Sequence, residues 1–248
     1  TSDFNIGFNR NRVTELYGGK PELKGLKRLE EGRDMDEWYL REWAGVDPAN
    51  GSPLWYTTDE NGNRVTTDSY NKADRVYCGS AAPKFTGGWM NSFTYKGFTL
   101  TANFDFVYGN LLYNQSRELL DSDGAYADYN SMKLKSRWKR WEKEGDIATH
   151  PKAINGGNKN SNKSSSRYLE KGNYFSLRNL SLGYSIPEKL CGKLGLQRVN
   201  VSCSADNPFT FTPFSGVPPQ LSESSTDGYA GTIYPLSRRI VFGLNVSF

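Results

Sequence analysis

The chain has 248 residues, of which 36% are hydrophobic and 14% aromatic, and its formal net charge is +4. It contains no run of about 18 apolar residues, which excludes a transmembrane helix but not a transmembrane strand, because such a strand turns only every second side chain to lipid. Since the 31 basic and 27 acidic residues are interspersed, we expect no nucleic-acid partner.

Residues suited to catalysis or metal binding are scarce in this sequence. Cys78, Cys191 and Cys203 show no CxxC spacing, and His150 is the single histidine. Zinc sites and disulfide frameworks need clustered or evenly paired ligands, and acid–base or nucleophilic catalysis needs a matched set of groups. We therefore expect no catalytic residues, no metal, no cofactor and no enzymatic activity.

Alternation of apolar and polar residues predicts about nine antiparallel strands. In chain order they are Phe4–Phe8, Val13–Tyr17, Asp36–Ala44, Ser52–Thr58, Phe85–Tyr95, Phe98–Tyr108, Tyr174–Ile186, Val199–Ala205 and Ile240–Phe248. The pattern is clearest in Phe98–Tyr108, where Phe104 and Phe106 share one face and Asn103 and Asp105 the other. About eleven residues are what a tilted strand needs to cross a bilayer.

One predicted strand is irregular. In Tyr174–Ile186 the apolar phase slips between Leu177 and Leu180. A slip of one residue would move side chains to the other face of a strand, so it indicates a β-bulge or an interior-facing patch.

Short and very long connections alternate along the chain. Tyr95–Gly97 and Pro187–Gly195 are short, whereas Asn110–Asn173 has about sixty residues and Asn207–Tyr234 nearly thirty. Loops that long are uncommon in compact soluble domains. The alternation is typical of an outer-membrane barrel, in which short turns face the periplasm and long loops face the exterior.

Both long loops contain aromatic residues. Within the first of them, helical spacing predicts helices over Leu111–Asp121 and Ser131–Lys143. The aromatic side chains either pack the loops onto themselves or offer flat faces on which a sugar ring can stack. The candidates for contact with a substrate or a covering partner are Tyr126, Tyr129, Trp138, Trp141, Phe209, Phe211 and Phe214.

Two fold classes explain the alternation. In a transmembrane barrel, Phe104, Phe242, Leu244 and Val246 would face lipid, and the terminal aromatic Phe248 would act as an assembly signal or stand in an aromatic girdle. In a soluble all-β sandwich, such as a glycan-binding module, the same residues would face a dry core between two sheets. The long loops favour the barrel.

Six motifs in the same order resemble the SusC/RagA type of TonB-dependent transporter of Bacteroidota outer membranes. They are Trp43–Gly51, Tyr95–Phe98, Arg137–Pro151, Ser166–Tyr184, Phe209–Gly216 and Tyr234–Phe248. One departure is visible after Gly216, where Pro218-Pro219-Gln220 replaces the Asp-Pro-Glu of many members. This difference leaves open what that loop contacts.

The resemblance implies a barrel of about 22 strands with an N-terminal plug. Residues 1–248 would be its C-terminal portion, without the plug, the TonB-contacting segment and the earlier strands. The implied activity is TonB-dependent import of a nutrient across the cell outer membrane, usually an oligosaccharide and sometimes a peptide. The implied partners are a SusD-like surface lipoprotein, the TonB–ExbB–ExbD complex and outer-membrane lipid. A passive porin or a receptor used only for signalling remains an alternative.

Overall fold

The computed structural model describes residues 1–126, 128–129, 131–217, 219–220, 228–231 and 234–248. Within them lie sixteen strands, numbered β1 to β16 along the chain, and two short helices, α1 (Ser116–Leu120) and α2 (Glu188–Lys193). Single 3-10 turns occupy Tyr17–Gly19, Tyr70–Lys72 and Ser166–Tyr168. No helix in these ranges has the length and hydropathy of a membrane-spanning segment. The predicted all-β class is confirmed.

Six long strands form one antiparallel sheet in the order β1-β9-β10-β13-β14-β16. They are β1 (Ser2–Phe8), β9 (Phe85–Tyr95), β10 (Phe98–Tyr108), β13 (Tyr174–Ser185), β14 (Arg198–Phe211) and β16 (Arg239–Ser247). Each strand pairs with its neighbour in chain order among these six, so the sheet is a simple meander.

The register of this sheet aligns the apolar side chains of all six strands. Residues directly opposite each other in an antiparallel pair lie on the same face. Phe104 stands opposite both Trp89 and Leu177, and Val201 stands opposite both Tyr184 and Leu244. We call this side of the six-stranded sheet the apolar face and the opposite side the polar face.

The irregular strand contains the bulge that the sequence indicates. The pairing of β13 with β10 and with β14 shifts at Arg178, between Leu177 and Asn179. The extra residue keeps Leu177 and Leu180 on the apolar face although three positions separate them.

Long and short connections alternate around the sheet. β9 and β10 join through Lys96 and Gly97, whose φ angles of 46° and 86° suit the two-residue turn that matches strand twist. β13 and β14 join through residues 186–197, which include α2. The other connections, residues 9–84, 109–173 and 212–238, are long. They leave from the same end of the sheet, here called the loop end; the opposite end is the turn end.

Three of the four predicted strands before Phe85 do not belong to the six-stranded sheet. Val13–Tyr17 contains no strand, and the strands within Asp36–Ala44 and Ser52–Thr58 belong to small sheets inside the first long connection. The small sheets comprise β2 (Glu22–Lys24), β3 (Lys27–Leu29), β4 (Glu37–Arg41) and β8 (Arg75–Ser80); β5 (Trp43–Val46), β6 (Pro53–Thr58) and β7 (Arg64–Thr67); and β11 (Leu111–Asn114), β12 (Leu169–Lys171) and β15 (Tyr229–Ala230).

The two clusters of buried hydrophobic residues found in the described part of the chain lie among the long connections. Trp38, Leu40, Tyr113 and Tyr168 form one of them, each at most 2% exposed. The indole Nε1 of Trp38 donates to the Leu111 carbonyl oxygen over 2.9 Å, which satisfies its one polar group. The three connections therefore pack into a single unit above the loop end, here called the loop unit.

The two predicted helices are corrected by the structure. Leu111–Asp121 is split into β11 and the single-turn α1, because β11 pairs with both β12 and β15. Ser131–Lys143 is irregular throughout. Trp138 packs against the Arg117 guanidinium and Trp141 donates to the Pro48 carbonyl oxygen, so the two indoles do not share a helix face.

Candidate functional site

The polar face carries charged side chains in the middle of the sheet. The Nε of Arg178, the bulge residue, lies 2.9 Å from the Asp105 carboxylate, to which the Tyr174 hydroxyl donates over 3.1 Å. Farther across the sheet, Asp206 accepts from Asn179 over 2.8 Å and from Arg239 over 2.7 Å. Thus four strands present paired charges and amides to the same side.

The apolar face carries no charged side chain on any of the six strands as their register aligns them. It holds the four residues predicted to face lipid, Phe104, Phe242, Leu244 and Val246. Phe242 is 79% and Leu244 70% exposed, so no second sheet formed by the described residues covers them as a sandwich would require. Phe248 follows the last residue of β16 and is also exposed.

Two of the predicted contact residues lie on this apolar face. Phe209 stands opposite Leu177 and Phe211 opposite Phe175, and the two phenyl rings are 5.2 Å apart. Both lie near the loop end of the sheet, on the face opposite the charged side chains.

The other predicted contact residues belong to the loop unit. Trp141 and Phe214 are buried, and the Trp141 Nε1 donates to the Pro48 carbonyl oxygen over 3.0 Å. Trp138 is half-buried between the Arg117 guanidinium and the His150 ring, with ring-centre distances of 4.5 Å and 5.1 Å. Only Tyr126 and Tyr129 are exposed, and their rings contact each other edge to face at 5.6 Å. Among the predicted contact residues within the loop unit, these two tyrosines are the ones that present an open aromatic surface.

A cluster of buried charges, which the sequence did not reveal, organises the loop unit. Asp121 and Asp123 have fully buried side chains. The Arg117 Nη2 lies 2.8 Å from Asp121, the Arg140 Nη1 lies 2.7 Å from Asp123, and the Arg167 guanidinium contacts both carboxylates. We call these five residues, with Glu170 and His150, the ion-pair cluster.

Three guanidinium groups and three carboxylates balance the charge of the ion-pair cluster. Burial works to raise the pKa of Asp121, but the hydrogen bond with His150 at 3.0 Å and the charges of Arg167 and Arg117 outweigh it and lower that pKa to about 2. A buried carboxylate with such partners stays ionised. The described residues include no group of three or more His, Cys, Asp or Glu side chains placed to hold a metal ion.

Glu170 links the first and last parts of the loop unit. Its carboxylate accepts from the Arg117 Nη1 over 2.9 Å and from both the backbone N and the Oγ of Ser215 over 2.6 Å. Ser215 belongs to the connection before β16, whereas Arg117 belongs to the one after β10. One carboxylate therefore links two long connections. Its hydrogen bonds involve an ionised group, so they are stronger than hydrogen bonds between neutral groups.

Two motif residues have local structural roles. Gly51 has φ of +75°, and a Cβ on it would stand 2.5 Å from the Trp141 ring, so the turn that precedes β6 requires glycine there. Asp146 accepts from the Lys139 Nζ and from the backbone N of Glu142 and Lys143, and these hydrogen bonds lower its pKa to about 2.

No protein-family model matches the chain. Among curated proteins of Formosa agariphila, TonB-dependent receptor P39 is 32% identical over 100% of this chain and 28% of its own length. TonB-dependent receptor P3 is 28% identical over 99% of the chain and 26% of its own length. The chain therefore spans about a quarter of the relatives it matches. Both relatives are named as receptors.

Solved structures of a peptide transporter have the same fold over the whole chain. The RagAB peptide transporter superposes with a TM-score of 0.81 at 26% identity, covering 100% of this chain and 27% of the other. The RagAB peptide importer in its closed-closed state gives a TM-score of 0.80 at 28% identity and the same coverage. The six-stranded sheet and the loop unit thus follow the architecture of a known peptide transporter.

Proposed function

Because this chain is a segment of a TonB-dependent receptor of the SusC/RagA type, we propose that residues 1–248 of this sequence form the C-terminal part of an outer-membrane barrel that imports a nutrient. In this proposal the plug and the earlier strands belong to the rest of the protein. The polar face lines the passage, and the loop unit surrounds its outer mouth.

The observation that carries the proposal is the division of the six-stranded sheet into two faces. Arginine on the lipid side of a barrel at mid-membrane costs about 2–4 kcal/mol. The Asp105–Arg178 pair lies at mid-sheet on the polar face, while Phe242 and Leu244 lie on the apolar face. If lipid covers the apolar face and water covers the polar face, the charged pair stays hydrated and the apolar side chains stay out of water.

Transport of this kind breaks no bond in the substrate. The wall residues contribute a polar lining, and the loop unit holds the mouth in a fixed shape through its ion-pair cluster. Energy would reach the plug from the TonB–ExbB–ExbD complex through regions outside this chain. A SusD-like lipoprotein would close over the loop unit and trap the substrate between itself and the plug.

We propose an oligosaccharide as the substrate. The exposed pair Tyr126 and Tyr129 offers an edge-to-face aromatic surface of the kind on which a sugar ring stacks. A peptide is the second candidate, because the similar RagAB structures are described as those of a peptide transporter.

The test uses the full-length protein in its native host. We expect it in the outer-membrane fraction, released only by detergent, and we expect growth on its substrate to require TonB. Competition between oligosaccharides and peptides for uptake distinguishes the two substrate classes. A protein recovered in aqueous buffer, or uptake unchanged by loss of TonB, would refute the proposal.

A further inference from the structure

The net positive charge of the chain comes from one segment of the loop unit. Residues 131–163, here called the basic segment, contain nine basic and three acidic residues, a net charge of +6. The remaining 22 basic and 24 acidic residues have a net charge of −2. Positive charge is therefore concentrated in one of the three long connections.

Most of this charge has no counter-charge in the part of the chain that the structure describes. Three of the nine cations form ion pairs there, namely Lys139, Arg140 and Lys159. The other six form none; they are Lys133, Lys135, Arg137, Lys143, Lys152 and Lys163. Five of these six are exposed, the half-buried Lys135 being the exception. The basic segment thus presents uncompensated cations to solvent.

Chain geometry keeps several of these cations close together. Lys133 and Arg137 are four residues apart, so their Cα atoms lie within about 14 Å of each other. The stretch that ends at Lys152 runs beside the first one, because the His150 backbone N donates to the Lys139 carbonyl oxygen over 3.0 Å. Cations at such separations add to the potential that a single anionic ligand meets.

The basic segment lies in the connection between β10 and β13, the two central strands of the six-stranded sheet. Further strands of a barrel would pair with β1 or β16, at the edges of this sheet. The exposure of the basic segment is therefore not a consequence of an unpaired sheet edge.

Aromatic rings accompany the cations. The exposed Tyr129, whose ring contacts that of Tyr126, lies four residues before Lys133. The Lys135 Nζ lies 5.8 Å from the centre of the Trp138 ring. Aromatic rings stack on the C–H face of a sugar, and cations form charge-assisted hydrogen bonds with carboxylate or sulfate groups. The two features together suit a sugar chain that carries negative charge.

We infer that the basic segment binds an anionic oligosaccharide, with carboxylate or sulfate groups, and that this is the substrate class of the barrel. The inference rests on the proposed function, in which the loop unit surrounds the outer mouth. Attraction between opposite charges also raises the rate at which such a substrate reaches the mouth.

The test measures the binding of matched probes to the full-length protein, purified from outer membranes in a non-ionic detergent, by isothermal titration calorimetry. One pair of probes is hexagalacturonate and its methyl ester, and the other is sulfated isomaltohexaose and isomaltohexaose. Within each pair the sugar chain is the same and the charge differs. The two anionic probes distinguish carboxylate from sulfate.

The double variant Lys133→Gln/Arg137→Gln removes two exposed cations of the basic segment. The control Lys20→Gln/Arg75→Gln removes the same charge from exposed positions in the first long connection. One exposed ion pair changes affinity by up to about fivefold. We therefore expect the double variant to bind an anionic probe at least fivefold more weakly than the parent does, and the control to bind it as the parent does.

In the parent, at least one anionic probe should bind at least tenfold more tightly than its neutral counterpart, and added salt should weaken this binding. Equal binding of charged and neutral probes, no binding of either anionic probe, or equal losses in the two variants would overturn the inference and leave the proposed function intact. If the double variant binds the probes normally but loses a surface lipoprotein that the parent retains, the basic segment contacts a protein partner and the inference is wrong. Uptake that does not depend on TonB would overturn the proposed function itself.

Discussion

Arg167 and Asp123 form an ion pair whose side chains are 3% and 0% exposed, at the centre of the loop unit. Asp123 also accepts from the Ser161 Oγ over 2.7 Å and from the Arg140 Nη1 over 2.7 Å. Desolvation of buried charges opposes such pairs unless further hydrogen bonds complete them. Here these hydrogen bonds are present. Because the hydrophobic core of the loop unit is small, the ion-pair cluster is what fixes the arrangement of its long connections.

Removing the charge of Asp123 is expected to loosen the loop unit. Asp123→Asn leaves the Arg167 guanidinium buried without its main counter-charge, which costs about 3–5 kcal/mol. Hydrogen exchange of residues 117–170 in the full-length protein should rise strongly. The control is Asp68→Asn, which breaks an ion pair with Lys159 whose side chains are 52% and 46% exposed, and it should cost at most about 1 kcal/mol. Equal effects of the two substitutions would contradict a structural role for the cluster.

The lowered pKa of Asp121 predicts sensitivity to acid. Because the folded-state pKa, about 2, lies below the ordinary 3.8, the stabilisation is present above pH 4 and is lost as the pH falls from 4 towards 2. The shift corresponds to roughly 2 kcal/mol. Pepsin cleavage within the loop unit should therefore increase over this pH range.

The variant Asp121→Asn serves to assign that acid response. It should be less stable than the parent at neutral pH, since Arg117 and His150 lose a charged partner. Between pH 4 and 2 its cleavage rate should change less than that of the parent. An unchanged slope would assign the acid sensitivity to other carboxylates.

Neighbouring residues of β16 test the two faces of the sheet. Leu244 stands opposite Val201 on the apolar face, and Asn245 stands opposite Asn200 on the polar face. Leu244→Arg should cost about 2–4 kcal/mol if lipid covers that side, with a clear fall in the amount of folded protein in the outer membrane. Asn245→Arg introduces the same side chain one position away and should be tolerated. A reversed or equal response would refute the assignment of the faces.

The sequence predicted the parts of the fold that depend on neighbouring residues. Alternation in Phe98–Tyr108 identified β10, and the phase slip after Leu177 identified the bulge, because both are local consequences of a two-residue period. It did not show which sheet the strand at Ser52–Thr58 joins, since its partner β7 was not recognised as a strand. Burial of Arg117 and Asp123 depends on contacts with residues about fifty positions away in sequence, so both resembled ordinary surface charges.

Gly51 provides the last test, which concerns how the turn before β6 supports the loop unit. Gly51→Ala combines a strained backbone, at φ +75°, with a Cβ that would stand 2.5 Å from the Trp141 ring. The strain costs roughly 1–2 kcal/mol, and displacement of the ring adds about 1–3 kcal/mol. Gly62→Ala is the matched control, because φ there is +82° and no atom lies within 4 Å of the added Cβ. Hydrogen exchange around Trp141 should increase only in Gly51→Ala. Equal increases in the two variants would mean that backbone strain alone explains the effect of the substitution and that the contact with Trp141 contributes nothing.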